Sequence, residues 1–228
     1  MISSFNAFGS KADSFGPLHQ PIWLGTVKPV PVGGVLASAY RKSGLLIGAG
    51  SAIELKGGAI SPLIAWEVVS FTAAAGAETL DTIVIKPAVL GKVTFIPAAN
   101  DLIQKLGASF SSTGKAAVVA SCTLIASGDN AGCYEVTVLH SATIDVPSEG
   151  DYIVLSAATS AGSDASIKVQ PNAYLYNDIY TGELDTDVNA SGAAVQYHPE
   201  GILIDLTPDA AFAAQMKVAV PGVYQVSV

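Results

Sequence analysis

The residues best able to do chemistry lie in an acidic stretch near the C-terminal end of the chain. Asp185, Asp187 and Asn189 occupy positions 1, 3 and 5 of a calcium-loop spacing, where oxygen ligands suit Ca²⁺. Such a loop needs glycine at position 6 and glutamate at position 12, but this chain has Ala190 and Gln196 there. Because two defining positions fail, we expect a solvated acidic turn and no metal site, with an opportunistic calcium site as the alternative.

The same stretch offers carboxylates that could be paired for glycoside cleavage, which needs two acidic groups flanking the bond. The candidates are Asp178, Glu183 and Asp185. The sequence does not give the distance between them, and acidic residues in loops are usually solvated. We therefore assign no catalytic residue here.

Other catalytic and nucleotide-binding patterns are incomplete. Gly48-Ala49-Gly50 lacks the third glycine of a dinucleotide fingerprint, because Ile53 occupies that position. The sequence contains neither a G-x-S-x-G motif nor a P-loop, and His19, His140 and His198 are far apart with no visible nucleophile to serve. We expect that the protein is not an enzyme and that it needs no cofactor.

Tyrosines around the acidic stretch could stack on sugar rings. If residues 174–180 form a strand, Tyr174 and Tyr176 share one of its faces and are the candidate glycan contacts. The alternative, which we favour, is that these tyrosines and Tyr180 and Tyr197 pack in the core or between subunits.

The amino-acid composition indicates which kinds of partner the protein can have. Only 13% of the 228 residues are charged, about half the usual share, while 50% are apolar. We expect much of the surface to be buried against other subunits; the alternative is a surface of Ala, Gly and Ser. The net charge of −8 and the single arginine, Arg41, argue against a nucleic-acid partner, which requires clustered basic residues.

Nothing in the sequence indicates a membrane segment. No run approaches 18 uncharged apolar residues, and the start MISSFNAFGS lacks the basic and apolar regions of a signal peptide. We expect synthesis in a cytoplasm. Cys122 and Cys133 flank an ASGDNAG turn whose symmetric hairpin places Cys122 opposite Val136, so two free thiols are expected.

The first 34 residues differ from the rest of the chain. They carry several prolines and show little periodicity, which predicts an extended arm. Phe5, Phe8, Phe15 and Trp23 have no local core to enter, so we interpret them as anchors that dock on a partner surface. A poorly ordered terminus is the alternative.

Short apolar runs and turn signals predict a mainly β fold, with sandwich or barrel-like domains and one or two short helices. Residues 35–78 are predicted to be a turn-rich connecting region and 79–170 a β domain. Within the latter, Ala98–Leu106 is predicted as a short helix, with Asn100 as a possible N-cap and Gly107 at its end.

The C-terminal module, residues 171–228, is predicted as strands, one helix at about 208–218 and a final strand. Thr207-Pro208-Asp209 combines a cap, a proline suited to the first helical position and an acid suited to the helix start. The runs 193–197 and 202–206 are predicted to pair through the turn His198-Pro199-Glu200-Gly201.

This module resembles the head fibre proteins of tailed bacteriophages. The resemblance rests on AYLYNDIY, GAAVQYHPEGILID, TPDAAFAAQMK and PGVYQV, and more weakly on SGLLIGAGSAIEL in the central part. It covers about 171–228, with a weaker extension over 43–70, and it does not include the arm. These are structural signatures and not catalytic motifs.

The resemblance implies a mostly β capsid decoration protein, which forms homo-oligomers on the outer capsid surface of the virion. Its N-terminal part is implied to hold the major capsid protein. A homotrimer is favoured over a homodimer, because three intertwined chains bury more edge strands. The alternative function is a carbohydrate-binding module for host attachment, which binds host or mucus glycans.

Overall fold

The computed structural model describes residues 23–28, 34–40, 45–48, 50–75, 79–86, 95–139, 144–175, 179–181, 194–195, 197–198, 200–205 and 210–227. Their architecture is mainly β, which confirms the fold class predicted from the sequence. No helix among these residues is long and apolar enough to cross a membrane.

The strands of the first half are β1 Trp23–Lys28, β2 Gly34–Leu36, β3 Leu45–Ile47, β4 Ala52–Lys56, β5 Ala59–Pro62, β6 Ala65–Thr72, β7 Leu80–Ile85, β8 Leu102–Lys105 and β9 Gly114–Lys115. The second half contains β10 Ala117–Leu124, β11 Tyr134–Leu139, β12 Tyr152–Leu155, β13 Asp164–Ala165, β14 Ala173–Leu175, β15 Ile179–Thr181, β16 Ala194–Val195, β17 Tyr197–His198, β18 Glu200–Asp205, the helix α1 Ala210–Ala219 and β19 Val223–Ser227. A 3₁₀ turn, Ser38–Tyr40, follows β2.

Six strands close into an antiparallel barrel in the order β10-β11-β7-β6-β12-β8. Pairing of β8 with β10 completes the ring. Side chains alternate along β11, since Val136 and Val138 are buried while Glu135 and Leu139 are exposed. Because successive side chains of a strand point to opposite faces, one face of each strand points toward the barrel interior.

The barrel interior is filled by side chains of its own strands. Fully buried inward-facing residues come from every wall: Trp66, Ile83, Ile85, Ile103, Val119, Val136, Val138 and Ile153. The indole Nε1–H of Trp66 donates a buried hydrogen bond to the carbonyl of Phe95, 3.0 Å away. A small six-stranded barrel packed in this way has the character of a core and not of a ligand cup.

The rest of the chain covers one side of the barrel. Ala65, Val154 and Gln104 lie opposite one another on β6, β12 and β8 and face outward, yet each is at most 1% exposed. The Gln104 amide donates to the carbonyl of Ala165 in the small β9–β13 ribbon, 3.1 Å away. The outer surface of these three strands is therefore an internal layer.

A six-stranded mixed sheet joins two distant parts of the chain, in the order β16-β2-β5-β4-β14-β17. Strands β2, β4 and β5 come from the first quarter of the chain, and β14, β16 and β17 from the last. Next to β14, Asn172 accepts a hydrogen bond from the Leu55 amide at 2.8 Å and donates one to the Leu55 carbonyl at 3.0 Å, so its side chain substitutes for a strand partner. The predicted C-terminal module thus shares its sheet with residues 34–62.

A smaller sheet has the order β1-β18-β19, in which β18 and β19 are parallel. Parallel neighbours require a crossover, and α1 supplies it. The predicted helix at 208–218 and the final strand are therefore confirmed. The predicted hairpin between 193–197 and 202–206 is wrong, because β16 and β17 pair with β2 and β14 while β18 pairs with β1 and β19.

A second prediction about local structure is also wrong. The segment Ala98–Leu106 contains no helix, because its apolar residues enter β8, which pairs with β10 on one side and β12 on the other. Asn100 is not a helix cap but a turn residue at φ 72°, in the left-handed region. Across the predicted boundary at residue 78, β6 pairs with β7 in the barrel.

Candidate functional site

The residues singled out for catalysis and metal binding lie mostly outside the described part of the chain. These are Asp178, Glu183, Asp185, Asp187, Asn189, Ala190, Gln196, His19 and His140. His198 lies in β17, with Tyr174 as its backbone partner. The described residues contain no group of three or more His, Cys, Asp or Glu side chains that could hold a metal ion.

The proposed capsid-docking anchors are placed only at the end of the arm. Phe5, Phe8 and Phe15 lie outside the described residues, whereas Trp23 begins β1 opposite Leu203. Residues 23–28 of the predicted arm therefore form a strand of the C-terminal sheet. Any loose arm must end before Trp23.

Tyr174 is not available to a sugar. It lies in β14 between β4 and β17, and only 3% of it is exposed. The alternative of a core tyrosine is correct for this residue, and its assignment as a glycan contact is wrong. The second candidate, Tyr176, lies outside the described residues.

The two cysteines are free thiols, as predicted. Cys122 pairs with Val136 across β10 and β11, the register expected from the turn between the cysteines. Burial raises the pKa of the Cys122 thiol. Since the thiolate is the nucleophile, a raised pKa makes Cys122 a poor one.

One groove lies at an end of the barrel, beside α1, with a volume of about 890 Å³. Its walls are the loop after β8, the turn before β12, Gln170-Pro171 and the Ala214–Ala219 side of α1. The Leu106 amide donates to the Tyr152 carbonyl at 2.8 Å and holds the loop against β12. Val218 of α1 is 83% exposed at the groove.

An ion pair lies in the wall of this groove. Lys105 Nζ is 2.7 Å from Asp151 Oδ2, and each side chain is about 30% exposed. Partial burial acts to raise the pKa of Asp151, but hydrogen bonds from Lys105 and from the Ser148 amide, at 2.6 Å, outweigh it and lower the pKa below its usual value. The Asp151 carboxylate is therefore ionised at neutral pH, and the pair offers a donor and an acceptor to a polar ligand.

Gln215 connects α1 to the barrel. Its Nε2–H donates to the carbonyl of Gly107 at 3.1 Å, while its buried Oε1 has no hydrogen-bond partner among the described residues. The Gln215 side chain thus attaches α1, which forms one wall of the groove, to the loop after β8. Neither Lys105 nor Gln215 was identified from the sequence, because their neighbours come from distant segments.

The open side of the barrel is the second candidate site. A row of hydroxyl side chains crosses four strands, and an exposed leucine pair lies beside it. We call this surface the hydroxyl face; its residues are Ser121, Thr137, Thr82, Thr72, Leu139 and Leu80.

Each member of the row lies opposite the next across a strand pair. Thr72 pairs with Thr82, Thr82 with Thr137, and Thr137 with Ser121, whose Oγ lies 2.8 Å from Thr137 Oγ1. Glu135 lies one row further along β11 on this side, and Glu67, which pairs with Lys86, also faces outward on β6. The six residues of the hydroxyl face carry hydrogen-bonding and apolar groups, and charged side chains lie beyond them on the same strands.

Comparison with known proteins finds no counterpart: no protein-family model, no curated protein and no solved structure matches this chain.

Proposed function

We propose that this protein is a structural virion protein, a phage head fibre or capsid decoration protein that assembles with copies of itself and attaches to the major capsid protein. The observation that carries the proposal is the filled barrel, whose interior is closed to ligands. A barrel that is filled by its own side chains suits a structural role, in which it packs against other subunits. The resemblance of residues 171–228 to head fibre proteins supplies the virion context.

The scarcity of charge supports self-association. A surface with few Lys, Arg, Asp and Glu side chains loses little hydration when another subunit covers it. The chain has 13% charged residues, and Ser121, Thr137, Thr82 and Thr72 form an uncharged row across four strands. The copy number favoured by edge-strand burial is three, with two as the alternative.

Capsid attachment is assigned to the segment before β1, with Phe5, Phe8 and Phe15 as anchors. The pairing of β1 with β18 defines how this can be tested. Deletion of residues 1–34 removes a strand of the C-terminal sheet, whereas deletion of residues 1–22 leaves that sheet intact.

The test is cosedimentation of the purified protein with capsids that lack it. We expect the 1–22 deletion to keep the circular dichroism spectrum and the copy number of the assembly, and to lose capsid binding. Replacement of the three phenylalanines by alanine should give the same loss, with Lys11→Ala as the matched control. Full capsid binding by both altered proteins would show that the arm is not the capsid contact.

A second function, binding of host or mucus glycans, is favoured by the groove beside α1. Its wall combines an ionised pair, Lys105–Asp151, with the side chains of Gln170 and Tyr152, and such planar polar groups beside an aromatic ring suit sugar hydroxyls. A glycan array tests it. Binding that is lost in a Lys105→Ala, Asp151→Ala double variant and kept in a Lys115→Ala, Asp129→Ala control supports this function, and no binding to any glycan rejects it.

A further inference from the structure

The groove beside α1 contains an ion pair whose hydrogen-bonding capacity is only partly used. Asp151 Oδ2 accepts from Lys105 Nζ at 2.7 Å and from the Ser148 amide at 2.6 Å. Asp151 Oδ1 has no partner among the described residues and is not one of their buried unpartnered oxygens. The Lys105 ammonium has three N–H donors and uses one of them on Asp151. The pair therefore presents an acceptor and further donors side by side.

The backbone fixes the position of both partners. Lys105 ends β8, where it lies opposite Ile153 of β12. Asp151 directly precedes β12 and follows Gly150, whose φ of 84° turns the chain and brings the Ser148 amide to the carboxylate. A ligand therefore meets two groups that are already oriented, which lowers the entropic cost of binding.

The pair is accessible from the groove. Each side chain is about 30% exposed, and both residues line the groove. The groove volume of about 890 Å³ lies within the roughly 300–1,000 Å³ that is typical of sites for small molecules. A ligand in the groove can therefore reach both groups.

Charge restricts which ligand suits this site. Among the described residues that line the groove, only Lys105 and Asp151 are charged, and they neutralise each other. An anion would bring its charge next to Asp151 and a cation next to Lys105, and a zwitterion would have to break the 2.7 Å contact between them. A neutral ligand can bond to the unused positions while the pair stays intact, so a neutral ligand is favoured.

Two neighbouring hydroxyl groups match the unused positions. A hydroxyl both donates and accepts, so one of them can donate to Asp151 Oδ1 while its neighbour accepts from Lys105 Nζ. A sugar ring carries such neighbouring hydroxyls at its edge and C–H groups on its faces. The apolar part of the groove, which includes Pro171, Ala214 and Val218, suits those faces, and Val218 is 83% exposed.

We infer that Lys105 and Asp151 form a diol clamp, which binds two adjacent hydroxyl groups of a neutral sugar through Lys105 Nζ as donor and Asp151 Oδ1 as acceptor. This inference rests on the second proposed function, the binding of glycans, and identifies the class of sugar and the atoms that select it. Acidic sugars are disfavoured, because their carboxylate would compete with Asp151 for Lys105.

The first test of the diol clamp uses the unaltered protein. Methyl glycosides of glucose, galactose and mannose are titrated and binding is followed by saturation-transfer NMR; the monodeoxy analogues of each sugar that binds are then compared. We expect removal of either of two adjacent hydroxyls to weaken binding about tenfold, because one group of the pair loses its hydrogen bond. Removal of a hydroxyl elsewhere on the ring should change the affinity less than about threefold.

The second test changes the pair itself. Asp151→Asn and Lys105→Met each remove a charged hydrogen-bonding group, and each should weaken binding of the same sugar about tenfold. Asp129→Asn, at an exposed position in the turn after β10, is the matched control and should bind like the unaltered protein. Circular dichroism checks that each variant is folded, and the deoxy sugars test the clamp without any variant.

The outcomes separate the clamp from glycan binding as such. Weaker binding of two adjacent deoxy sugars and of both variants supports the diol clamp. Sugar binding that is unchanged in both folded variants overturns the clamp and leaves glycan binding intact. Tighter binding of methyl glucuronide or sialic acid than of the neutral sugars overturns the preference for a neutral ligand. Failure of every sugar to bind rejects the second proposed function, and the clamp with it.

Discussion

Ser121 on β10 and Thr137 on β11 lie directly opposite each other, with their side-chain oxygens 2.8 Å apart on the open side of the barrel. The next pair along the same strands, Cys122 and Val136, faces the interior. A slip of one residue in the pairing would exchange these two faces and bury the hydroxyls. The same register therefore fills the barrel interior and places the hydroxyl row on the outer side of the barrel.

If the barrel interior is a packed core, truncating one of its buried aliphatic side chains should lower the free energy of unfolding. Ile153 is 1% exposed and lies opposite Trp66. We expect Ile153→Ala to lower the free energy of unfolding by about 2–5 kcal/mol, since it removes buried contacts and leaves a cavity. Urea unfolding followed by circular dichroism measures this loss.

The control for this prediction is Leu124→Ala at the end of β10, where the side chain is 54% exposed. Its effect on the free energy of unfolding should stay within about 0.5 kcal/mol. Equal losses for Ile153→Ala and Leu124→Ala would contradict a filled interior.

The Lys105–Asp151 pair should make stability depend on pH in the acidic range. The pKa of Asp151 is lower in the folded protein than in the unfolded chain, so the folded state binds fewer protons there. Its contribution to stability is therefore complete above the unfolded pKa of about 3.9 and is lost as the pH falls from that value through the lowered pKa of the folded state. We expect Asp151→Asn to cost about 0.5 kcal/mol at pH 7, a small value because solvent screens the pair.

The difference between Asp151→Asn and the unaltered protein should disappear once the pH lies below the lowered pKa of folded Asp151, where the carboxyl is protonated in both states. Thermal unfolding at several pH values measures it. Asp129→Asn, at an exposed position in the turn after β10, is the matched control. A stability difference for Asp151→Asn that grows on acidification is incompatible with this account.

The thiols give a third prediction. Denatured protein should titrate with two free thiols per chain without a reducing agent, because Cys122 faces Val136 and not Cys133. In a Cys133→Ser variant, alkylation of Cys122 should be slower at pH 8 than that of an ordinary thiol, and its rate should continue to rise above pH 9, because burial raises the thiol pKa. A disulfide or a fast-reacting Cys122 would refute this assignment.

Backbone conformation gives a fourth prediction at Asn100. Its φ of 72° is a left-handed conformation that glycine adopts easily and β-branched residues adopt poorly. We expect Asn100→Gly to change the free energy of unfolding by less than about 0.5 kcal/mol and Asn100→Val to lower it by about 1–2 kcal/mol. Chemical denaturation of the two variants checks the order, and equal stability would contradict the turn.

The parts of the fold that could be predicted are those determined by local pattern. The alternation along β11 and the ASGDNAG turn were enough to predict the Cys122–Val136 register. Thr207-Pro208-Asp209 similarly marked the start of α1. In each case the residues that determine the structure are neighbours in the sequence.

The failed predictions concern pairings between distant segments. The apolar residues of 98–106 fit a short helix between Asn100 and Gly107 equally well, and only pairing with β10 and β12 makes them a strand. The predicted hairpin failed because β1, nearly 180 residues away, takes the place beside β18. The groove and the Lys105–Asp151 pair depend on the same long-range pairings, so the sequence alone did not reveal them.

The most direct test of a structural virion role is to locate the protein on phage particles. If a phage encodes this chain, as the proposed function requires, antibodies against the folded barrel should label the outside of the heads in negatively stained particles of that phage. Mass spectrometry should then detect the protein in those particles after density-gradient purification. Particles that lack the protein, or label confined to the lysate, would contradict the account.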